Sequence, residues 1–194
     1  MSYLTGTSTE LIYVNPTAGT AKASFTTEIA INDQAGMGLR AHIPPDFWRN
    51  ANDGIGRGIW VRALGILSTT VTPTYTFSLR LGVLDSITSV IALGSAALTS
   101  TSGAANQIWQ FDGMFFVRTI GTTAATATGQ GQGTLQSSGT ANKTDPIWGG
   151  GASPGTFSTL DTTVTNYFNF NVACSSSSAS NTITLQQLVI LGLN

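Results

Sequence analysis

Charged residues are scarce in this sequence. Asp, Glu, Lys and Arg make up 9% of its 194 residues, whereas an ordinary soluble domain contains about 25%. The formal net charge is −1, and the eight basic residues are scattered between Lys22 and Lys143. Because phosphate backbones are bound by clustered Lys and Arg, we expect no nucleic-acid partner. Long uncharged stretches, among them 86–111 and 119–142, give little repulsion between copies and predict burial against protein partners.

Cysteine and histidine each occur once. A single cysteine excludes an internal disulfide framework, and the apolar pattern before Cys174 predicts a small buried side chain. A metal site needs several ligands, and a Ser-His-Asp triad needs a histidine beside a suitable serine. The sequence around His42 offers neither, so we predict no metal site, no cofactor and no catalytic histidine.

Targeting and membrane-spanning patterns are also missing. The first residues, from Met1 to Gly6, have neither the basic nor the apolar segment of a signal peptide. No run approaches the roughly 18 apolar residues that span a bilayer. We therefore expect a protein that folds in a cytoplasm and has no membrane partner.

Strand-forming patterns are abundant. Hydrophobic residues make up 41% of the chain, and its many threonines favour strands, where β-branched side chains pack well. The clearest pattern places Tyr75, Phe77, Leu79 and Leu81 on one sheet face, since side chains alternate along a strand. Similar runs between Gly, Pro, Ser and Asn clusters predict further strands. The predicted strands lie at 10–14, 23–29, 58–67, 74–81, 88–93, 107–120, 134–137, 166–173 and 182–191.

Several features interrupt these patterns. Gly113 predicts a bulge or bend in the middle of 107–120, and a break in alternation near Gln186 predicts a second bulge or frame switch. The prolines of 44–50 predict at most one helical turn. The segment 121–155 is rich in Gly, Thr, Ser and Ala, which predicts long loops around a weak strand or a segment ordered by a partner.

The predicted fold class is all-β. We expect a jelly-roll-like β-sandwich of about eight strands with long Gly/Ser/Thr-rich loops. Residues 1–20 are predicted to form an N-terminal arm laid across neighbouring molecules, and residues 21–194 a single sandwich domain.

Possible sites were weighed against simpler structural roles. Asp33, Asp46 and Asp53 lie in a loop-rich region, and a glycosidase needs two carboxylates at a fixed separation. Solvated loop aspartates are the favoured interpretation. The glycines of 129–133 lack the spacing and the Lys-Ser/Thr ending of a phosphate loop, so a flexible turn is predicted. We therefore predict a protein that is not an enzyme and has no catalytic, cofactor-binding or metal-binding residues.

The four tryptophans allow two interpretations. Trp48, Trp60, Trp109 and Trp148 can stack on sugars, but in a β domain such rings more often fill the core or an interface. Trp148, which precedes three glycines, is predicted to be the most exposed of them or to lie at an interface.

Particular segments resemble a known group of proteins. The residues 59–70, IWVRALGILSTT, run into 72–82, TPTYTFSLRLG. Together with 109–121 and 179–184 they resemble small jelly-roll structural proteins of tailed bacteriophages. That group comprises capsid decoration (cement) proteins, head fibres and minor tail proteins. The resemblance covers about half of the chain, from 43 to 121 plus the C-terminal strand, and 121–155 departs from it.

The resemblance implies a virion protein assembled in the host cytoplasm. The leading hypothesis is a capsid decoration protein that binds the major capsid protein and stabilises the head shell as a homotrimer, since a shell offers local three-fold positions. The alternative is a head-fibre or minor tail protein that binds host glycans with exposed aromatic rings. A third hypothesis, a polysaccharide depolymerase, requires a cleft with paired carboxylates of perturbed pKa.

Overall fold

The computed structural model shows an all-β chain. It describes residues 9–15, 17–32, 41–45, 47–48, 57–82, 89–121, 127–138, 143–152 and 155–193. The described residues form thirteen strands and a short 3-10 turn at Gly149–Gly151. In chain order the strands are β1 (Thr9–Val14), β2 (Ile29–Ala30), β3 (His42–Ile43), β4 (Gly58–Ser68), β5 (Thr74–Gly82), β6 (Val90–Ser95), β7 (Leu98–Thr99), β8 (Gln107–Thr119), β9 (Ala127–Ser137), β10 (Lys143–Trp148), β11 (Thr156–Leu160), β12 (Asn166–Cys174) and β13 (Thr182–Leu193).

The strands are arranged in two layers. Hydrogen bonding follows the order β1-β13-β4-β8-β9-β10-β6-β5-β12-β2, while β11 pairs with β9, β3 with β12 and β7 with β5. Although β8 and β5 are far apart along this path, the rings of Trp109 on β8 and Phe77 on β5 have centroids 4.8 Å apart. The hydrogen-bonded sheet therefore folds back on itself at β9 and β10. A front sheet (β1, β13, β4, β8, β9) faces a back sheet (β6, β5, β12, β2), which is the jelly-roll-like sandwich that the sequence predicts.

Aromatic rings dominate the core between the sheets. Trp109 and Phe170 stack with centroids 6.0 Å apart, and Phe111 meets Phe170 edge-on at 4.9 Å. These rings and that of Phe77 are fully buried. Gly65 makes room for them, because a Cβ at that position would lie 2.3 Å from Trp109 Cζ2. Burial of such large rings contributes strongly to the stability of the fold.

The alternation read from the sequence matches the faces of the central strands. On β5 the four apolar positions from Tyr75 to Leu81 are all fully buried. The register of β13 against β4 shifts between Leu185 and Gln187, which confirms the predicted bulge. Beyond the bulge, Leu188 and Ile190 are again fully buried, so the extra residue restores the inward direction of the apolar side chains.

Gly113 marks no bulge, so the bulge predicted there is wrong. It pairs in regular register with both β4 and β9. The irregularity between β8 and β9 falls between Val117 and Thr119. A Cβ on Gly113 would lie 3.0 Å from Leu93 Cδ1 on β6. The glycine therefore allows the two sheets to approach each other.

The segment 121–155 was predicted as long loops around a weak strand or as a segment ordered by a partner. The strand at 134–137 is confirmed as part of β9, whereas the long loops are wrong for the described residues. The segment contains the whole of β9 and β10, and the glycines of 129–133 lie in β9 rather than in a flexible turn. A Cβ would lie 2.1 Å from Phe157 Cζ at Gly129 and 2.6 Å from Leu93 Cδ2 at Gly131. Glycine is required here because neighbouring side chains press directly against the strand backbone.

The described residues 9–15 and 17–32 follow one edge of each sheet in turn. β1 pairs with β13, and beyond it the backbone N–H groups of Asn15, Gly19 and Lys22 donate to carbonyls of the β13 region. The segment then crosses over, and β2 pairs with β12. A strand over 23–29 was predicted wrongly: the crossing takes Ser24 to a φ of 58°, outside the extended range.

The predicted N-terminal arm overlaps this edge. Residues 9–15 and 17–20, the part of the arm that the structure describes, lie against β13 of their own chain. The division into an arm of residues 1–20 and a domain of residues 21–194 stays a prediction.

A charged cluster fixes the crossing segment to the back sheet. The Glu28 carboxylate accepts hydrogen bonds from Arg80 Nε at 2.7 Å and Arg80 Nη2 at 2.6 Å, and further ones from Ser78 and Asn171. Burial raises the pKa of the Glu28 carboxyl, but the hydrogen bonds from Arg80, Ser78 and Asn171 outweigh it and hold the pKa below its ordinary value.

Replacing Glu28 by glutamine is expected to lower the free energy of unfolding by roughly 2 kcal/mol near neutral pH. The Glu28 side chain is only 22% exposed, and Arg80 loses its carboxylate partner. A lowered folded-state pKa stabilises the fold above the unfolded pKa of about 4.3, and this contribution is lost as the pH falls through the folded pKa. Urea unfolding from neutral pH down to about pH 3 should therefore show a smaller loss of stability for E28Q than for the wild type. Parallel curves for the two proteins would contradict this role.

Candidate functional site

The outward side of the front sheet forms the candidate site. Inward positions on these strands are filled by the core, so alternate residues point outward. We call this surface the front face. Its residues are Leu11, Trp60, Arg62, Leu64, Ile66, Ile108, Gln110, Asp112, Met114, Phe116, Gln130, Gln132, Thr134, Gln136, Gln187, Val189 and Leu191.

A row of apolar side chains crosses the front face. Leu11, Leu191, Trp60 and Met114 occupy successive paired positions on β1, β13, β4 and β8, so each side chain is within reach of the next. Leu11 is 60% exposed and Met114 is 41% exposed. Contiguous exposed apolar surface is a feature that interaction sites on folded domains share.

Further apolar and amide side chains widen this surface. Ile108, which pairs with Ile66, is 55% exposed, and Phe116 is 37% exposed. Gln132 pairs with Met114 across β8 and β9, and Gln110 lies opposite Gln136 on the same two strands. The front face therefore combines aliphatic and aromatic surface with neutral hydrogen-bonding groups, the composition typical of protein interfaces.

A small polar cluster lies among these apolar side chains. Arg62 and Asp112 are directly opposite each other on β4 and β8, and Arg62 Nε lies 3.7 Å from Asp112 Oδ2. Trp60 Nε1 donates a hydrogen bond of 2.7 Å to Asp112 Oδ1. A partly exposed ion pair contributes little to stability. The effect of Asp112 is to fix the orientation of the Trp60 indole.

Two shallow depressions lie on this side of the sheet. One has a volume of about 390 Å³ and is lined by Trp60, Arg62, Leu64, Gln187, Val189 and Leu191. The other has a volume of about 260 Å³ and is lined by Met114, Phe116, Arg118, Gln130, Gly131 and Gln132. Depressions on an otherwise flat apolar surface can each accept a protruding side chain of a partner.

The tryptophans divide between core and surface. Trp48 and Trp109 are buried, whereas Trp60 and Trp148 are partly exposed. The sequence interpretation singled out Trp148 and missed Trp60. The alternation in 58–67 places Trp60 on the face opposite Ile59, and the structure shows that Ile59 is on the buried side.

Two of the other candidate residues, His42 and Cys174, lie in the described part of the chain. His42 on β3 lies beside Tyr167, with ring centroids 5.9 Å apart. Cys174 is buried, as predicted, and its thiol donates to the Ser176 carbonyl at 3.3 Å. Asp33, Asp46 and Asp53 lie outside the described residues, so their separation stays untested.

The described part of the chain contains neither a cluster of metal ligands nor a membrane-spanning helix. There, no three His, Cys, Asp or Glu side chains converge as ligands for a metal ion. Within the same residues, no helix has the length and hydrophobicity that crossing a bilayer requires.

Structural comparison finds matches to solved structures at low identity and low TM-score. The CBM2 module of the evolved Dit of Lactobacillus casei BL23 phage J-1 is 13% identical, with 97% of each chain covered and a TM-score of 0.33. The metal-free lectin I-B4 from Griffonia simplicifolia is 8% identical, with 97% of this chain and 94% of that chain covered and a TM-score of 0.37. The marine PL-14 alginate lyase from Aplysia kurodai is 8% identical, with 93% and 98% covered and a TM-score of 0.37.

No protein-family model matches the chain, and no curated protein matches it. The fold assignment rests on the strand order and layer packing of the chain itself, both of which define an all-β, jelly-roll-like sandwich.

Proposed function

We propose that this chain is a non-enzymatic structural protein of a tailed-phage virion that docks on the particle through its front face. The apolar row of Leu11, Leu191, Trp60 and Met114 is the observation that carries the proposal. A protein that stabilises an assembly needs contact area on a rigid element rather than a catalytic pocket. The front face provides such an area on paired strands.

The finer assignment is a capsid decoration protein that binds the major capsid protein and stabilises the head shell as a homotrimer. It is supported by the sequence resemblance of 59–82 to phage jelly-roll structural proteins and by the low charge of the chain. Apolar contacts across subunit borders hold a shell together without charge pairing, since burial of apolar surface is non-directional. Light scattering of the purified chain should give three times the monomer mass; a monomer would remove the trimer from the proposal.

Glycan attachment is the second candidate, and Trp60 favours it. Its indole is held by Asp112 and lies in a depression that also contains Gln187, and flat rings beside amides are suited to sugar binding. The many aliphatic side chains around it favour a protein partner instead. A glycan array separates glycan attachment from docking on a protein partner. If the chain binds glycans, the wild type should be retained on the array and W60A should not.

The docking face can be tested with Met114→Glu. A carboxylate placed in the apolar row would be buried without a partner on docking, so binding to phage particles that lack this protein should weaken by about a hundredfold. Sedimentation of particles with labelled chain measures the affinity. The control is Thr76→Glu, which adds the same charge at an exposed position of β5 on the back sheet. Equal binding by both variants and the wild type would overturn the proposal.

A further inference from the structure

The hydrogen-bond donors of the Arg62 guanidinium are the basis of this inference. Arginine side chains are cations that donate through several N–H groups. The ion pair of Arg62 with Asp112 spans 3.7 Å, longer than a hydrogen bond, and Asp112 Oδ1 already accepts from Trp60. Among the described residues, Arg62 has no hydrogen-bond acceptor in contact, and 46% of its side chain is exposed.

Docking through the front face covers this guanidinium. Removing an arginine from water without a new acceptor costs far more than its loose pair with Asp112 returns. A partner that buries the apolar row must therefore supply an acceptor to Arg62. Among the described residues of β4 and β8, the outward side carries two cations, Arg62 and Arg118, and one anion, Asp112. Their net charge of +1 favours an acidic partner group.

The shape of the depression around Arg62 restricts that group further. Leu64, Val189 and Leu191 provide apolar walls, and Gln187 adds an amide. Its volume of about 390 Å³ accommodates a side chain whose stem is apolar and whose end is charged.

We infer that the docking partner inserts an acidic side chain, a glutamate or aspartate of the shell protein, into this depression, with its carboxylate on Arg62. The inference rests on the proposed function and adds the chemistry of the partner. Carboxylate and guanidinium form paired hydrogen bonds, so this contact fixes the register of an otherwise non-directional apolar interface.

Binding to phage particles that lack this protein tests the inference. R62Q should bind at least about tenfold more weakly than the wild type, and R62K should recover part of the loss because it keeps the charge. Lys22→Gln is the matched control, since it removes a cation whose backbone pairs with Ile183 at the sheet edge, away from the depression. Thermal unfolding of each variant verifies the fold.

Modifying the particles identifies the partner group. Amidation of shell carboxylates with a carbodiimide and glycinamide should weaken wild-type binding to the level of R62Q and leave R62Q binding unchanged. An equal additional loss for both proteins, or wild-type affinity for R62Q, would overturn the carboxylate contact. If M114E loses binding while R62Q does not, only this inference fails; if neither loses binding, the proposed docking function fails as well.

Discussion

Replacing Trp109 by alanine is expected to lower the free energy of unfolding by about 3–5 kcal/mol. The indole is fully buried between Phe77 and Phe170, and its removal leaves a cavity where both sheets meet. Its Nε1 has no hydrogen-bond partner among the described residues, so its contribution comes from buried ring area. Urea unfolding followed by circular dichroism measures the change.

The neighbouring residue provides the control for this experiment. Ile108 points to the opposite side of β8 and is 55% exposed, so Ile108→Ala should change stability by no more than about 0.5 kcal/mol. Similar losses of stability for W109A and I108A would mean that Trp109 and Ile108 do not lie on the buried and exposed sides of β8.

Gly131→Val is expected to destabilise the fold by about 3 kcal/mol or to prevent folding. A Cβ at this position would lie 2.6 Å from Leu93 Cδ2 and 2.8 Å from Phe115 Cβ, and valine adds two further carbons. Valine is a good strand former. Any loss of stability therefore reports the steric conflict with Leu93 and Phe115 and not a low strand propensity.

Gln132→Val is the matched control for Gly131. This residue is exposed on the front face, where valine has room and favours the strand. The urea concentration at its unfolding midpoint should lie within a few tenths of a molar of the wild-type value. If G131V proved as stable as Q132V, 129–133 would be better described as the flexible turn that the sequence predicts.

The sequence was sufficient to predict a strand and its buried face wherever one face of the strand is apolar and the other polar. β5 and β13 were found with nearly correct bounds, because alternation reports directly on which side is buried. The bulge near Gln186 was found for the same reason, since it interrupts the alternation. The all-β class follows from several such strands in succession.

Only the end of β9, at 134–137, was predicted, because inward positions in its first half are glycines rather than large apolar residues. Gly129 and Gly131 read as loop residues, yet they are required by Phe157, Leu93 and Phe115, which pack onto the backbone. Those side chains come from other strands. The need for glycine is therefore a property of tertiary packing, which a single local pattern does not contain.

The front face was not predicted as a site, although the sequence indicates which residues of its single strands point outward. The exposed side of β4 could be read from alternation, but Leu11, Leu191, Trp60 and Met114 become one row only through the pairing of β1, β13, β4 and β8. Register between distant strands depends on the whole sheet. The low charge of the chain did indicate burial against a partner, and the front face is the surface that we propose for it.

The position of this chain in an image of the intact phage particle, obtained by electron cryo-microscopy, tests the docking claim most directly. We predict that the front face, with Trp60, Ile108 and Met114, lies against the shell and that Arg62 contacts a shell carboxylate. A particle in which this chain is absent, or in which the front face points into solvent while another surface makes the contact, would contradict the account.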